Sequence, residues 1–254
     1  MGTIGIARRE DRDEQRIDLD ANESLGTRGK EIGERAAPGA DLDDRLARAR
    51  VDGLHDALER CGLDVLQLDH EDAHGQYEVN FAFAPVLASA AHVMLFKLAA
   101  NAIAERHGMV FSMMPKPFAD QPGSGMHCHV SLWEGRNDNA RNVFLPHRAD
   151  GSLDPEVLLS PIGRQFIGGV LAHAGALTAL AAPTVNSYKR LTVGESITGT
   201  TWAPAYVAQG YNNRTALVRT LHGRFEWRAP DASANPYLML AGLIAAGLDG
   251  IERG

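Results

Sequence analysis

Four short segments of the chain carry side chains that could do chemistry. In His127-Cys128-His129-Val130-Ser131-Leu132 polar and apolar residues alternate. A strand here puts His127, His129 and Ser131 on one face and Cys128, Val130 and Leu132 on the other. Two imidazoles and a hydroxyl beside a glycine-rich loop suit a metal ion or a phosphate, the plain alternative being a solvated edge-strand face. Arg224-Phe225-Glu226-Trp227-Arg228 has the same period, with Phe225 and Trp227 in the core and Arg224, Glu226 and Arg228 facing outward. A carboxylate between two guanidiniums is ionised at neutral pH and could meet Mg²⁺, while the arginines meet anionic groups. The alternative is a surface salt-bridge ladder. Glu71 and Glu78 flank a turn at Gly75-Gln76, and two carboxylates folded together call for a hard cation, Mg²⁺ or Mn²⁺. Finally, Asn186-Ser187-Tyr188-Lys189-Arg190 and Asn213-Arg214-Thr215, with Arg219 beyond, offer guanidiniums suited to carboxylates and phosphates. Cys128, on the apolar face, reads as a packed thiol.

The elements that must position these residues follow from period and punctuation. Val51, Leu54 and Leu58 with a closing Gly62 predict a helix over Asp41–Cys61. Val65–Asp69 and Glu78–Phe83 read as strands. Pro85 opens an apolar helix that Gly108 ends near His107. Met109–Met114 reads as a short strand, and 116–125 as a Pro- and Gly-rich loop leading into His127–Leu132. Asp154-Pro155 and Ser160-Pro161 both look like helix caps, so helix is expected through Pro155–Ala182. A Gly- and Thr-rich loop spans Thr192–Thr201. Strands follow at Thr215–Thr220 and Arg224–Arg228, and Asn235-Pro236 caps a last helix to about Ile251. The class expected is α+β, a mainly antiparallel sheet with flanking helices. Residues 1–40 are rich in Asp, Glu, Arg and Gly and read as an irregular leader, with 41–254 as the folded domain.

Composition narrows the partners. The 254 residues are 44% hydrophobic and 22% charged, ordinary for a globular chain. A net charge of −7 argues against nucleic acid or an anionic membrane as the main partner. Two cysteines, Cys61 and Cys128, exclude a disulfide scaffold and fit a reducing cytoplasm. The charged N-terminus lacks the apolar stretch of a signal peptide, and the apolar run Phe81–Ala104 is broken by His92, Lys97 and Asn101. A cytoplasmic location is the expectation.

In this order the segments resemble the catalytic domain of glutamine synthetases. The matching elements are His70-Glu71 with Gly75-Gln76-Tyr77-Glu78, Met114-Pro115-Lys116-Pro117, Gly123-Ser124-Gly125-Met126-His127-Cys128-His129, Asn186-Ser187-Tyr188-Lys189-Arg190-Leu191, Asn213-Arg214-Thr215 with Arg219, Arg224-Phe225-Glu226-Trp227-Arg228 and Asn235-Pro236-Tyr237. Trp202-Ala203-Pro204 and Tyr211-Asn212-Asn213-Arg214-Thr215 look most like the type III glutamate–ammonia ligase or glutamate–methylamine ligase branch. The resemblance implies ATP-dependent ligation of ammonia or a small amine to glutamate through γ-glutamyl phosphate. It implies Mg²⁺ or Mn²⁺ held by Glu71, Glu78, His127 and Glu226, and ATP contacts from His129, Ser131, Arg219 and Arg224. Arg190, Arg214 and Arg228 would be the catalytic arginines, Arg190 and Arg228 also holding glutamate beside Gly123.

Two departures bear on function. The family carries an N-terminal β-grasp domain and a strand with a Glu-x-Glu pair, whereas Thr3–Arg9 looks like a remnant of that strand without the pair. Trp202 stands where ammonia-specific members carry a glutamate. An active glutamate–amine ligase is therefore one expectation. The other is a truncated, non-catalytic relative that keeps a nucleotide or glutamate pocket. The family forms homo-oligomers, and a chain without the covering domain is expected as a monomer or small oligomer.

Overall fold

The computed structural model describes residues 54–254 apart from 74, 136–139, 149, 197, 198 and 201. The expected leader, the remnant strand Thr3–Arg9 and the first part of the Asp41–Cys61 helix lie outside them. The described part of that helix, 54–60, is α1, and Gly62 follows it at φ 80°. An antiparallel hairpin comes next, β1 (Val65–His70) and β2 (Tyr77–Phe81), close to the expected strands. Helix α2 runs Val86–Arg106 and ends at Gly108, whose φ of 66° is readily adopted by glycine. Apolar residues surround α2 on all sides. One face, with Ala90, Val93, Phe96 and Ala100, is buried, while Leu87, Met94, Leu95 and Leu98 are exposed. By length and composition α2 could cross a membrane. Its buried face packs into the apolar interior, and Lys97 donates from its ammonium to the Ala234 carbonyl at 3.2 Å.

The main sheet has four strands in the order β3 (Cys128–Val130), β10 (Arg224–Trp227), β9 (Val218–Leu221) and β8 (Gln209–Tyr211). The first two pairings are antiparallel, but β8 runs parallel to β9, so the sheet is mixed rather than purely antiparallel. Between these strands lie two small hairpins, β4 (Trp133–Glu134) with β5 (Arg141–Asn142) and β6 (Glu195–Ser196) with β7 (Gly199–Thr200). Helices α3 (Pro161–Ala172) and α4 (Ala174–Ala181) fill the expected helical region. Its start is later than expected. Ser160 caps α3 through Gly163 N, whereas Asp154 Oδ1 accepts from Glu156 N in an isolated turn. The Met109–Met114 strand does not form either, and that segment is irregular. Helix α5 (Val185–Arg190) was not foreseen. Thr184 and Ser187 close its N-terminus as a reciprocal capping box. Helix α6 (Pro236–Arg253) begins at Asn235, whose Oδ1 accepts from the amides of Tyr237 and Leu238.

Two apolar clusters hold this together. The smaller joins α1, the β1–β2 hairpin and α2 around Leu58, Val79, Phe81 and Phe96. The larger fills the space between the four-stranded sheet and α3, α4 and α6. Phe144, Phe166 and Phe225 meet there with ring centroids 5.4–6.2 Å apart. Helices α3 and α6 touch through glycines, since a Cβ on Gly169 would lie 1.9 Å from the Ala246 carbonyl oxygen. Trp227, 1% exposed, closes the sheet face of this cluster. Trp227→Ala is expected to lower stability by ~3–5 kcal/mol, read from chemical denaturation at constant m.

Candidate active site

The alternation read in the sequence holds at β3 and β10. Cys128 and Val130 pair across the strands with Trp227 and Phe225, and all four are buried in the large cluster. Burial pushes the Cys128 thiol up to about 12, so it is a packed thiol, as expected. The opposite face is also buried. Glu226 pairs with His129 on β3 and with Arg219 on β9, and Glu226 is itself 3% exposed. Of the expected outward-facing row, Glu226 and Arg228 are therefore internal, and Arg224 alone is exposed.

The Glu226 carboxylate is fully engaged. Its Oε1 accepts from Arg228 Nη1 at 2.6 Å and lies 2.9 Å from His127 Nδ1, and Oε2 accepts from Arg219 Nη1 at 3.1 Å. Burial opposes its ionisation, but the close His127 ring and the guanidinium of Arg228 hold it far below the usual carboxylate range. Burial, with Arg228 and Arg190 nearby, lowers His127 to about 3 and keeps it neutral. His127 Nδ1 also lies 3.1 Å from Arg228 Nη1, and its Nε2 edge faces the glycine loop, where a Cβ on Gly125 would sit 2.8 Å from that nitrogen. His129 is lowered to about 4 by burial and by Arg224, Arg219 and Arg228, and its Nδ1 has no partner.

Arg190 comes from the last turn of α5 and is 5% exposed. Its Nη2 donates to the carbonyls of Ala229 and, at 3.0 Å, Pro230, while Nε has no partner. Burial lowers it to about 10, so it stays charged at neutral pH. Gly123 packs directly on it, where a Cβ would fall 2.6 Å from Arg190 Cγ. Arg228 Nη2 donates to the Trp202 carbonyl at 3.1 Å, and its Nε is likewise unpartnered.

Glu71 and Glu78 meet across the turn between β1 and β2. Burial first, then the hydrogen bond and charge of Glu78, raise Glu71 to about 7. Burial also works against ionisation of Glu78, but the proton shared from Glu71, with Asn80 Nδ2 at 3.1 Å and His127 beyond, keeps it below its ordinary value. The pair thus shares one proton where a cation would otherwise balance two charges.

All these groups line one cavity of about 400 Å³, together with Gln76, Lys116, Ser124, Trp202 and Arg214. Of the residues singled out in the sequence, Glu71, Glu78, Gly123, His127, His129, Arg190, Arg214, Arg219, Glu226 and Arg228 come together there. Ser131 does not. Its hydroxyl accepts from the Trp133 indole at 2.9 Å, so it braces the strand end instead. Arg224 is exposed at the start of β10 and is not among the cavity residues. The four expected metal ligands form two pairs, and among the described residues no three His, Cys, Asp or Glu side chains converge on one point. The two neighbouring carboxylates of Glu71 and Glu78 are the hard oxygen donors that a divalent cation takes. Glu226 fits only once Arg219 or Arg228 releases an oxygen. Sequence reading missed Gln76 and Lys116 as cavity residues, although both stood inside the quoted segments.

A buried row of arginines and neutral histidines facing a carboxylate pair, on a mixed sheet backed by helices, defines a site for anionic substrates and hard cations. The model of the glutamine synthetase catalytic domain matches residues 10–254, and the chain belongs to that family of ligases. It is 49% identical over 208 residues to the glutamate–methylamine ligase of Methyloversatilis universalis, covering 81% of this chain and 45% of that protein. Over 198 residues it is 44% identical to the glutamine synthetase of Rhizobium meliloti, covering 78% and 44%. Two solved structures share its fold at 40% identity. GmaS without ligand matches with a TM-score of 0.67 over 83% of this chain and 46% of that one. GmaS as an ADP complex matches with 0.71 over 88% and 50%. The chain thus spans about half the length of the proteins it matches.

Two outcomes test this geometry. Glu226→Ala removes the shared counter-ion of Arg219 and Arg228 and is expected to cost about 3–5 kcal/mol of stability, against a smaller loss for Glu226→Gln. A fold untouched by Glu226→Ala in denaturant titration contradicts the buried network. For Glu71, a folded pKa above the unfolded value of 4.5 means that its neutral form supports the fold at low pH. That support is lost as pH rises from 4.5 through about 7. In metal-free buffer Glu71→Gln is expected to match the parent chain at pH 4 and to melt above it at pH 8. Equal melting at both pH values contradicts the shared proton.

Proposed function

We propose that this domain contributes the phosphoryl-transfer and glutamate-holding site of an ATP-dependent glutamate–amine ligase. The observation that carries the reading is the set of buried side-chain nitrogens without partners, Arg190 Nε, Arg228 Nε and His129 Nδ1, all on residues lining the cavity. Buried polar atoms are nearly always paired, so three unpaired nitrogens in one cavity call for a bound ligand, and around arginines that ligand is an anion. Family membership and the glutamate–methylamine ligase likeness support glutamate and ATP as the anions.

In this reading the γ-carboxylate of glutamate attacks the γ-phosphorus of ATP, the bond to the β–γ bridging oxygen breaks and ADP leaves. An amine then attacks the acyl carbon of the γ-glutamyl phosphate, phosphate departs, and the amine loses a proton. Arg190 and Arg228 orient the carboxylates, and their low-dielectric surroundings strengthen each contact. Arg214 and Arg219 face the charge that spreads over the transferring phosphoryl oxygens. Mg²⁺ or Mn²⁺ at Glu71–Glu78 and His127 would neutralise phosphate charge and align the oxygens. His127 and His129, held neutral, keep nitrogen lone pairs available in that range.

The acceptor we propose is a small alkylamine. Trp202 lines the cavity, where Arg228 holds its carbonyl, and its indole is the apolar group there that an alkylamine could meet. Such a wall favours methylamine over ammonia by the transfer energy of one methyl, roughly tenfold in kcat/KM. Trp202→Ala is expected to erase that preference in steady-state assays with the two amines.

A second reading rests on the engaged Glu226 oxygens. With no three-ligand cluster among the described residues, the domain by itself could bind substrates without turning them over. Incubation with ATP, Mg²⁺, glutamate and hydroxylamine separates the two. Glutamate-dependent γ-glutamyl hydroxamate with ADP release supports the ligase. Calorimetric binding of ADP and glutamate without hydroxamate supports the binding module, and neither turnover nor binding refutes both.

A further inference from the structure

The β1–β2 hairpin and the four-stranded sheet are separate sheets with separate apolar clusters. The carboxylate pair belongs to the first and the arginine row to the second; α2 packs into both clusters, and the turn that carries the pair is held to the second half by polar contacts of its own. We propose that Gln76 is that tie, a positioning residue that fastens the acidic turn onto the glycine loop and through it onto Arg190. Its Nε2 donates to the Gly123 carbonyl at 3.2 Å and to Ser124 Oγ at 3.1 Å. Its other groups organise the turn. Oε1 accepts from Ala73 N at 3.3 Å, the backbone carbonyl accepts from Glu71 N at 2.9 Å, and the backbone amide donates to the Ala73 carbonyl at 3.0 Å. One residue therefore shapes the loop between Glu71 and Glu78 and grips the neighbouring loop with both hydrogens of a single amide nitrogen.

The far side of the glycine loop is equally constrained. Ser124 N donates to the Pro115 carbonyl at 2.8 Å. Asn186 on α5 bonds the Lys116 backbone in both directions, at 2.8 and 2.9 Å. Gly123 lies against Arg190 so closely that no side chain fits. A displacement at Gln76 is thus passed to Arg190 by contact, because neither Gly123 nor Arg190 has room to absorb it. The consequence for chemistry rests on the ligase reading: Gln76 sets how far the carboxylate pair stands from the guanidinium that holds glutamate.

The test uses Gln76→Met, which keeps length and removes both donated bonds, and Ser124→Ala, which removes one acceptor in case the first variant fails to fold. Hydrogen exchange followed by mass spectrometry on the intact chain is the first readout. We expect several-fold faster exchange in both the Glu71–Glu78 turn and the Met114–Gly125 loop for Gln76→Met, and a smaller change of the same pattern for Ser124→Ala. Exchange that rises in the turn alone, or nowhere, overturns the tie whether or not the chain has activity. The second readout is kinetic. Residues that orient ligating groups typically shift affinity about 10–100-fold, so the KM for glutamate is expected to rise at least tenfold while that for ATP holds. Parallel rises in both, tracking a loss of melting temperature, reduce Gln76 to a structural residue and overturn the positioning role. A parent chain inert toward glutamate and ATP refutes the ligase reading alone, because the exchange comparison still decides the tie.

Discussion

The structure turns on one buried carboxylate. Glu226 sits at the centre of the four-stranded sheet with Arg228 and His127 on one oxygen and Arg219 on the other. Such a group costs heavily in desolvation, and each guanidinium would cost as much without it. Only together are they tolerated. Their mutual dependence also sets the register: Glu226 lies opposite His129 on one side and Arg219 on the other. A slip of one residue would drive a guanidinium into the cluster that holds Phe225 and Trp227. The same bonds that close the sheet therefore hold His127 and Arg228 at the wall of the cavity.

The carboxylate pair at Glu71 and Glu78 stands apart from this network in every respect. It hangs on a two-stranded hairpin packed on Phe96 of α2, and it holds a proton rather than an ion pair. In one half of the site the Glu226 charge is thus balanced by protein cations. The other half is a pair of carboxylates on a turn that Gln76 fastens to the glycine loop. Met113, irregular in backbone, packs against both clusters and bridges the halves through apolar contact.

Much of this was legible in the residues. The period-two alternation placed Cys128, Val130, Phe225 and Trp227 in the core, and the Ser160-Pro161 and Asn235-Pro236 caps start helices where the sequence put them. Alternation says which residues share a face and not what covers that face. Glu226 therefore looked solvent-facing, whereas loops and flanking strands bury it. Asp154-Pro155 carries the same local signal as Ser160-Pro161, but Leu158 and Leu159 reach the large cluster from an irregular segment, and Asp154 closes only a turn. Ser131 kept its predicted face but lost its predicted task to the Trp133 indole, a partner two residues away that spacing rules do not weigh. The parallel pairing of β8 with β9 had no local sign, since parallel register depends on a connection and not on the strands themselves.

The histidines show how the protein decides protonation without a metal. Both lie near Glu226, which alone would favour imidazolium, yet both stay neutral because burial and the surrounding arginines outweigh one carboxylate. An imidazolium here would add a cation to a cavity already lined by Lys116, Arg190, Arg214, Arg219 and Arg228. Neutral rings instead offer lone pairs beside strong donors. A cavity arranged this way offers groups for both signs of charge. On the ligase reading, phosphate oxygens at Arg219 and Arg228 would compete with Glu226 for the same hydrogens, and each hydrogen won would leave a Glu226 oxygen able to hold a divalent cation.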